Sequence, residues 1–170
     1  MKKTALSAAA LALLAAACST LSTSVDFDHA ADFSRYKSYS WKDTGEIRDP
    51  VWSRRIEDVL EDTVAAKGLT KVKDGGDIWM AVHARFSVDY RVDYWNSGWG
   101  YGWWGPAPAT VSTIPVGTIV VDLIDAKKGI AVWRGVASDT LRPDREPEER
   151  EKTLRKVMAE LFAAYPPAKK

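Results

Sequence analysis

Ile78-Trp79-Met80-Ala81-Val82-His83-Ala84-Arg85-Phe86-Ser87-Val88-Asp89 alternates residue by residue. Ile78, Met80, Val82, Ala84, Phe86 and Val88 fall on one side, and Trp79, Ala81, His83, Arg85, Ser87 and Asp89 on the other. A period of two sends successive side chains to opposite faces of a strand. The stretch therefore predicts a long, half-buried strand with one apolar face and one mixed face. The apolar face needs a cover, and the flanking segments supply it.

Upstream, Asp49-Pro50 marks a helix start, with Asp49 as cap and Pro50 at the first helical position. Trp52, Ile56, Val59, Leu60, Thr63 and Val64 then recur at helical spacing, and Lys67-Gly68 closes the helix. Asp74-Gly75-Gly76 is a turn into the long strand. Downstream, residues 110–114 and 117–124 are rich in β-branched side chains, Ala126-Lys127-Lys128-Gly129 makes a turn, and 130–141 read as the last strand. Asp144 and Pro147 open a second helix whose apolar face is Leu154, Val157, Met158, Leu161, Phe162 and Tyr165, and Pro166-Pro167 stops it. Shorter strands are expected at 25–28 and 38–41. The predicted class is α+β, in the order ββαβββα: an antiparallel sheet of about five strands with two helices packed on one face. Residues 25–167 form one such domain, with no internal repeat.

The N-terminus has a different character. Lys2 and Lys3 precede an apolar run over 5–17, and small residues lead up to Cys18, the only cysteine. This is the three-part layout of an export signal over residues 1–17. Thirteen apolar residues would rise only about 20 Å as a helix, short of the roughly 30 Å of a bilayer core. Leu14-Ala15-Ala16-Ala17-Cys18 resembles a lipobox, with Ala15 where Leu is commoner. That resemblance implies that Cys18 becomes the first residue and carries a diacylglycerol on its sulfur. Residues 18–24 are then a short polar tether. Ser19, in place of Asp, resembles the sorting default for the periplasmic face of the outer membrane.

Charge narrows the partners. The chain has 24 Lys and Arg against 23 Asp and Glu. Removing the signal takes two lysines with it, so the mature domain is close to neutral, which gives no electrostatic reason to expect nucleic acid. The expected partners are the membrane, through acyl chains on Cys18, and an envelope protein or glycan.

Several stretches resemble one family in order and spacing. They are Val25-Asp26-Phe27-Asp28 with Ala31-Asp32-Phe33-Ser34-Arg35-Tyr36-Lys37-Ser38-Tyr39-Ser40-Trp41, then Lys67-Gly68-Leu69 and Asp77-Ile78-Trp79-Met80-Ala81-Val82. Gly117-Thr118-Ile119-Val120-Val121-Asp122-Leu123-Ile124-Asp125, Val132-Trp133-Arg134-Gly135 and Tyr165-Pro166-Pro167 complete the match. Together they resemble the domain-of-unknown-function family 4136, described as bacterial lipoproteins. The resemblance implies an exported, lipid-anchored α+β domain and brings no catalytic residues with it.

No constellation in the residues themselves points to catalysis, to a cofactor or to a metal. Gly100-Tyr101-Gly102-Trp103-Trp104-Gly105 spells GxGxxG, but Pro106 and Pro108 forbid the helix a dinucleotide loop runs into. The two histidines, His29 and His83, are far apart in the chain. Asp26, Asp28 and Asp32 lack the glycine and closing Glu of a calcium loop. Asp122 and Asp125 flank a strand end, where a turn explains them. Trp133 is expected in the core with Arg134 on the opposite face.

The remaining candidate surface is aromatic: Tyr90, Tyr94, Trp95, Trp99, Tyr101, Trp103 and Trp104. Its rings can cover the protein's own sheet, sit at the headgroup level of a membrane, or stack on a sugar or peptide. The expected function is a non-enzymatic envelope interaction or structural module anchored to the outer membrane. The alternative is a periplasmic ligand-binding or hydrolytic domain that uses a groove near His83 and Arg85.

Overall fold

The computed structural model describes residues 20–42, 47, 49–94, 109–142 and 144–167, with the backbone alone at 92–94 and 109–110. Strands β1 (Ser22–Phe27) and β2 (Ser38–Trp41) precede helix α1 (Pro50–Ala65). A two-residue strand β3 (Thr70–Lys71), the long strands β4 (Ile78–Tyr94) and β5 (Ala109–Asp125), strand β6 (Ile130–Thr140) and helix α2 (Pro147–Leu161) follow. They form one six-stranded sheet in the order β1-β6-β5-β4-β2-β3.

Two helices and a sheet in an α+β arrangement agree with the sequence reading, and three details correct it. The sheet has six strands, because Thr70–Lys71 adds one too short to leave a period-two signature. It is mixed: β2 runs parallel to both β3 and β4. The α1 crossover returns the chain to the end of the sheet where β2 began, and that sets β3 parallel to β2. Local periodicity carries no such information. The segments at 110–114 and 117–124 are one continuous strand across Pro115. The Pro115 carbonyl accepts from Leu141 N–H at 2.8 Å, so its missing donor also faces β6, where that partner ends, and the β4 ladder passes undisturbed.

Asp49 caps α1 as expected, its Oδ1 accepting from Val51 N at 2.9 Å and Trp52 N at 3.2 Å. Helix α2 begins at Pro147, but its cap is Glu146 rather than Asp144, and the Glu146 side chain makes no capping bond. The buried faces are Ile56, Val59, Leu60 and Val64 on α1, and Leu154, Val157, Met158 and Leu161 on α2. Both pack on Ile78, Met80, Val82, Val121, Leu123 and Trp133 of the sheet. Burying each such side chain contributes about 1.5–3 kcal/mol.

Trp133 is 1% exposed and stacks against Phe162 at 4.7 Å, with Tyr165 edge-on at 5.9 Å. Gly135 lets α2 settle onto β6, since a Cβ there would stand 2.5 Å from Trp133 Cη2 and 2.8 Å from Leu161 Cγ. Asp77 ties β2 to the start of β4: one carboxylate oxygen accepts from Lys37 N, Ser38 N and Ser38 Oγ at 2.9–3.0 Å. Among the described residues no helix is long and apolar enough to cross a membrane.

Candidate functional site

The helices cover only part of the sheet. Residues of β4 that share a face with Ile78, Met80 and Val82 continue as Ala84, Phe86, Val88 and Tyr90, and Val111 lies on the same face of β5. Past Val116, which pairs with Thr140 at the end of β6, only β4 and β5 remain among the described residues, as a two-stranded ribbon. It reaches roughly 23 Å further at about 3.3 Å per residue. Val88, Tyr90 and Val111 are 52%, 72% and 61% exposed there, and Phe86, opposite Gly117 at the base of the ribbon, is 64% exposed. Among the described residues, the core face thus runs on past the helices as an uncovered apolar strip.

The N-terminal segment leaves at this same pole. Ser22 pairs with Ser138, and the Thr20 hydroxyl donates to the Asp139 carboxylate. Asp139 is opposite Gly117, so Thr20 sits level with the base of the ribbon. Two residues of fully extended chain span no more than about 7 Å.

Among the described residues, no helix lies on the other face of the sheet. At its centre Asp122, 4% exposed, accepts from Arg134 Nε at 2.6 Å and Arg134 Nη2 at 2.7 Å, both oxygens engaged. His83 Nε2 stands 3.7 Å from Asp122 Oδ2. Asp26, opposite Arg134 on β1, adds a second acid beside the guanidinium. Toward β2, Lys42 lies over the Trp79 ring at 4.8 Å. A planar fork on a carboxylate is a rigid, charge-assisted contact. His83 and Arg85 share this face, as the sequence indicated, but the acid that organises it is Asp122. Asp122 belongs to mid-strand rather than to a turn, which corrects the earlier reading. Asp125 does serve the turn: it accepts from Lys127 N and Lys128 N at 2.9 and 3.0 Å and from the Tyr36 hydroxyl at 2.9 Å.

Among the sequence candidates, Tyr90 stands exposed on the apolar side of the ribbon. Tyr94 ends β4, described in backbone only. Cys18, Trp95, Trp99, Tyr101, Trp103, Trp104 and the GxGxxG stretch lie outside the described residues. Asp28 and Asp32 accept from Ala30 N and Ser34 N, as turn residues do. The Asp122–Arg134 pair was missed because the partners lie on different strands. The signal available was a charged residue in the apolar run Val120-Val121-Asp122-Leu123-Ile124, where a lone acid needs a partner.

A model of a domain of unknown function, DUF4136, matches residues 23–167. No curated protein matches this chain. The fold is similar to a PDZ domain protein from Parabacteroides distasonis, at 15% identity and TM-score 0.58, over 89% of this chain and 36% of that one. The chain thus spans about a third of the length of that protein. It is also similar to the PelC dodecamer from Paraburkholderia phytofirmans, at 13% identity and TM-score 0.51, over 84% of this chain and 95% of that one. At these identities the likeness concerns the fold.

Proposed function

This chain belongs to the DUF4136 family of domains of unknown function, and from that premise we propose that it is a lipid-anchored, non-enzymatic module of the cell envelope. The anchor is Cys18, and the seat is the periplasmic face of the outer membrane. The ribbon lies against the bilayer and the uncovered sheet face looks away toward a partner. The observation that carries this reading is the shared pole. The tether and the apolar ribbon point the same way, and the tether is the shorter. An acylated Cys18 would hold the domain so close that the ribbon must lie along the headgroups or dip among them. Phe86, Val88, Tyr90 and Val111 suit that surface, since apolar side chains enter the boundary region and tyrosine prefers the interface.

The enzymatic alternative has weaker support. His83 and Asp122 are 3.7 Å apart, beyond hydrogen-bonding reach, and the apolar cavity of the domain opens on the opposite side of the sheet.

The test is fractionation of wild type and Cys18→Ser, followed by binding of the unacylated protein to vesicles with and without Val88→Glu and Tyr90→Glu. Wild type should partition with membranes and the Cys18→Ser protein with the aqueous phase. The two glutamates should abolish the residual vesicle binding. A Cys18→Ser protein that stays fully membrane-bound would remove the anchor, and indifference to the glutamates would remove the ribbon contact.

A further inference from the structure

Between α1 and the start of α2, over the helix side of β4, β5 and β6, lies a cavity of about 220 Å³. Its walls are largely apolar, built from Trp52, Ile56, Ala84, Ile119, Leu154 and Val157 together with Phe86 at the base of the ribbon. Three arginines, Arg142, Arg145 and Arg150, also line it. Arg145 Nη1 donates to Thr153 Oγ1 at 3.1 Å. Among the described residues, Arg150 Nε is buried without a hydrogen-bond partner. A buried guanidinium N–H left unbonded costs about 1–3 kcal/mol or more, so an acceptor delivered to it would be strongly favoured. The one acid in the lining, Asp139, is engaged by Thr20 and by Thr140 N at 2.8 Å.

We propose that this cavity takes one acyl chain of an anionic phospholipid, with the lipid phosphate held by Arg150 and its neighbours. A greasy slot lined by three cations as well as apolar side chains is complementary to an amphiphile with a negative head. The volume exceeds the roughly 150 Å³ of a dry apolar cavity that holds benzene, so it suits a short run of one chain rather than a whole lipid. The cavity reaches Asp139, the residue that holds Thr20, so it opens at the tether pole. Choosing a membrane phospholipid as the source rests on the anchored reading above; the slot itself does not.

The experiment uses the full chain with Cys18→Ser, so that no anchor of its own can occupy the slot. Binding of dihexanoyl-phosphatidylglycerol below its micelle concentration is measured by titration and native mass spectrometry, against dihexanoyl-phosphatidylcholine and hexanoate. One bound phosphatidylglycerol per chain is expected, at least about tenfold tighter than the choline lipid. Arg150→Gln should erase that preference, and Ala84→Met should block binding of both lipids while leaving the circular dichroism spectrum intact. Equal binding of the two lipids, no binding, or a preference for hexanoate would overturn the proposal. Wild type that partitions to membranes while the soluble protein binds no lipid defeats this inference alone; lipid binding with an unacylated wild type defeats only the anchor.

Discussion

Arg134 holds both carboxylate oxygens of Asp122, at 2.6 and 2.7 Å, in the middle of the sheet face that no helix covers. The two residues are directly opposite in the β5–β6 register, so the pair is built on rigid backbone. Arg134→Ala strands a buried carboxylate and should lower stability by about 1–3 kcal/mol, toward the lower figure because the Arg134 side chain is 56% exposed. A double-mutant cycle with Asp122→Asn by urea denaturation should show coupling. Additive losses would mean the pair contributes nothing jointly.

Gly76→Ala should be among the more damaging single-methyl changes. A Cβ there would stand 2.7 Å from Ser40 N and Tyr39 C, both backbone atoms that cannot swing away. A cost of about 1–3 kcal/mol is expected from overpacking. Gly75→Ala meets nothing within 4 Å but sits at φ +73°, so only the left-handed penalty of about 1–2 kcal/mol applies. Thermal melts of the two variants separate crowding from backbone strain.

The ribbon and the core should respond oppositely to substitution. Leu154→Ala, at a position 4% exposed, should cost about 2–5 kcal/mol. Val88→Glu and Tyr90→Glu should change stability by no more than about 0.5 kcal/mol, since their side chains already face solvent. Large unfolding of the ribbon variants would show that those side chains cover the protein's own surface instead of a membrane.

At high pH, burial pushes the hydroxyls of Tyr36, Tyr39 and Tyr165 up to about 12, and for Tyr36 the hydrogen bond to Asp125 adds to it. These groups ionise more easily in the unfolded chain, near the ordinary value of about 10. Their contribution is complete below pH 10 and is lost as pH rises toward 12. Tyrosinate absorbance followed with circular dichroism should show these three ionising only as the fold is lost. Their titration at pH 10 in a folded protein would contradict this.

Acid acts through Asp77 and Asp125. For Asp77 the Lys37 N–H and the Ser38 hydroxyl and N–H hold the carboxyl below its ordinary range. For Asp125 burial pushes upward, but the bonds from Lys128 N, Tyr36 and Lys127 N outweigh it and leave the carboxyl lowered. Both contributions are present above the ordinary pKa of 3.8 and fade as pH falls through the lowered values. Asp77→Asn should therefore flatten the acid limb of a stability profile measured from pH 5 to pH 2; an unchanged limb would show that the Asp77 carboxylate is not coupled to folding.

Local chemistry determined much of this protein from the sequence alone. The period-two run from Ile78, the Asp49-Pro50 helix start, the apolar faces of both helices and the buried Trp133 were all legible, because each depends on side chains a few positions apart. So was the family, through stretches that stand in order along the chain. What tertiary structure alone decided depends on residues distant in sequence. The direction of β2 follows from the path of α1, and Asp122 finds Arg134 only when β5 and β6 align. The uncovered ribbon exists because the helices are shorter in reach than the strands they cover. A pattern of alternation reports that a face is apolar; whether a helix reaches far enough to bury it is a matter of three-dimensional length.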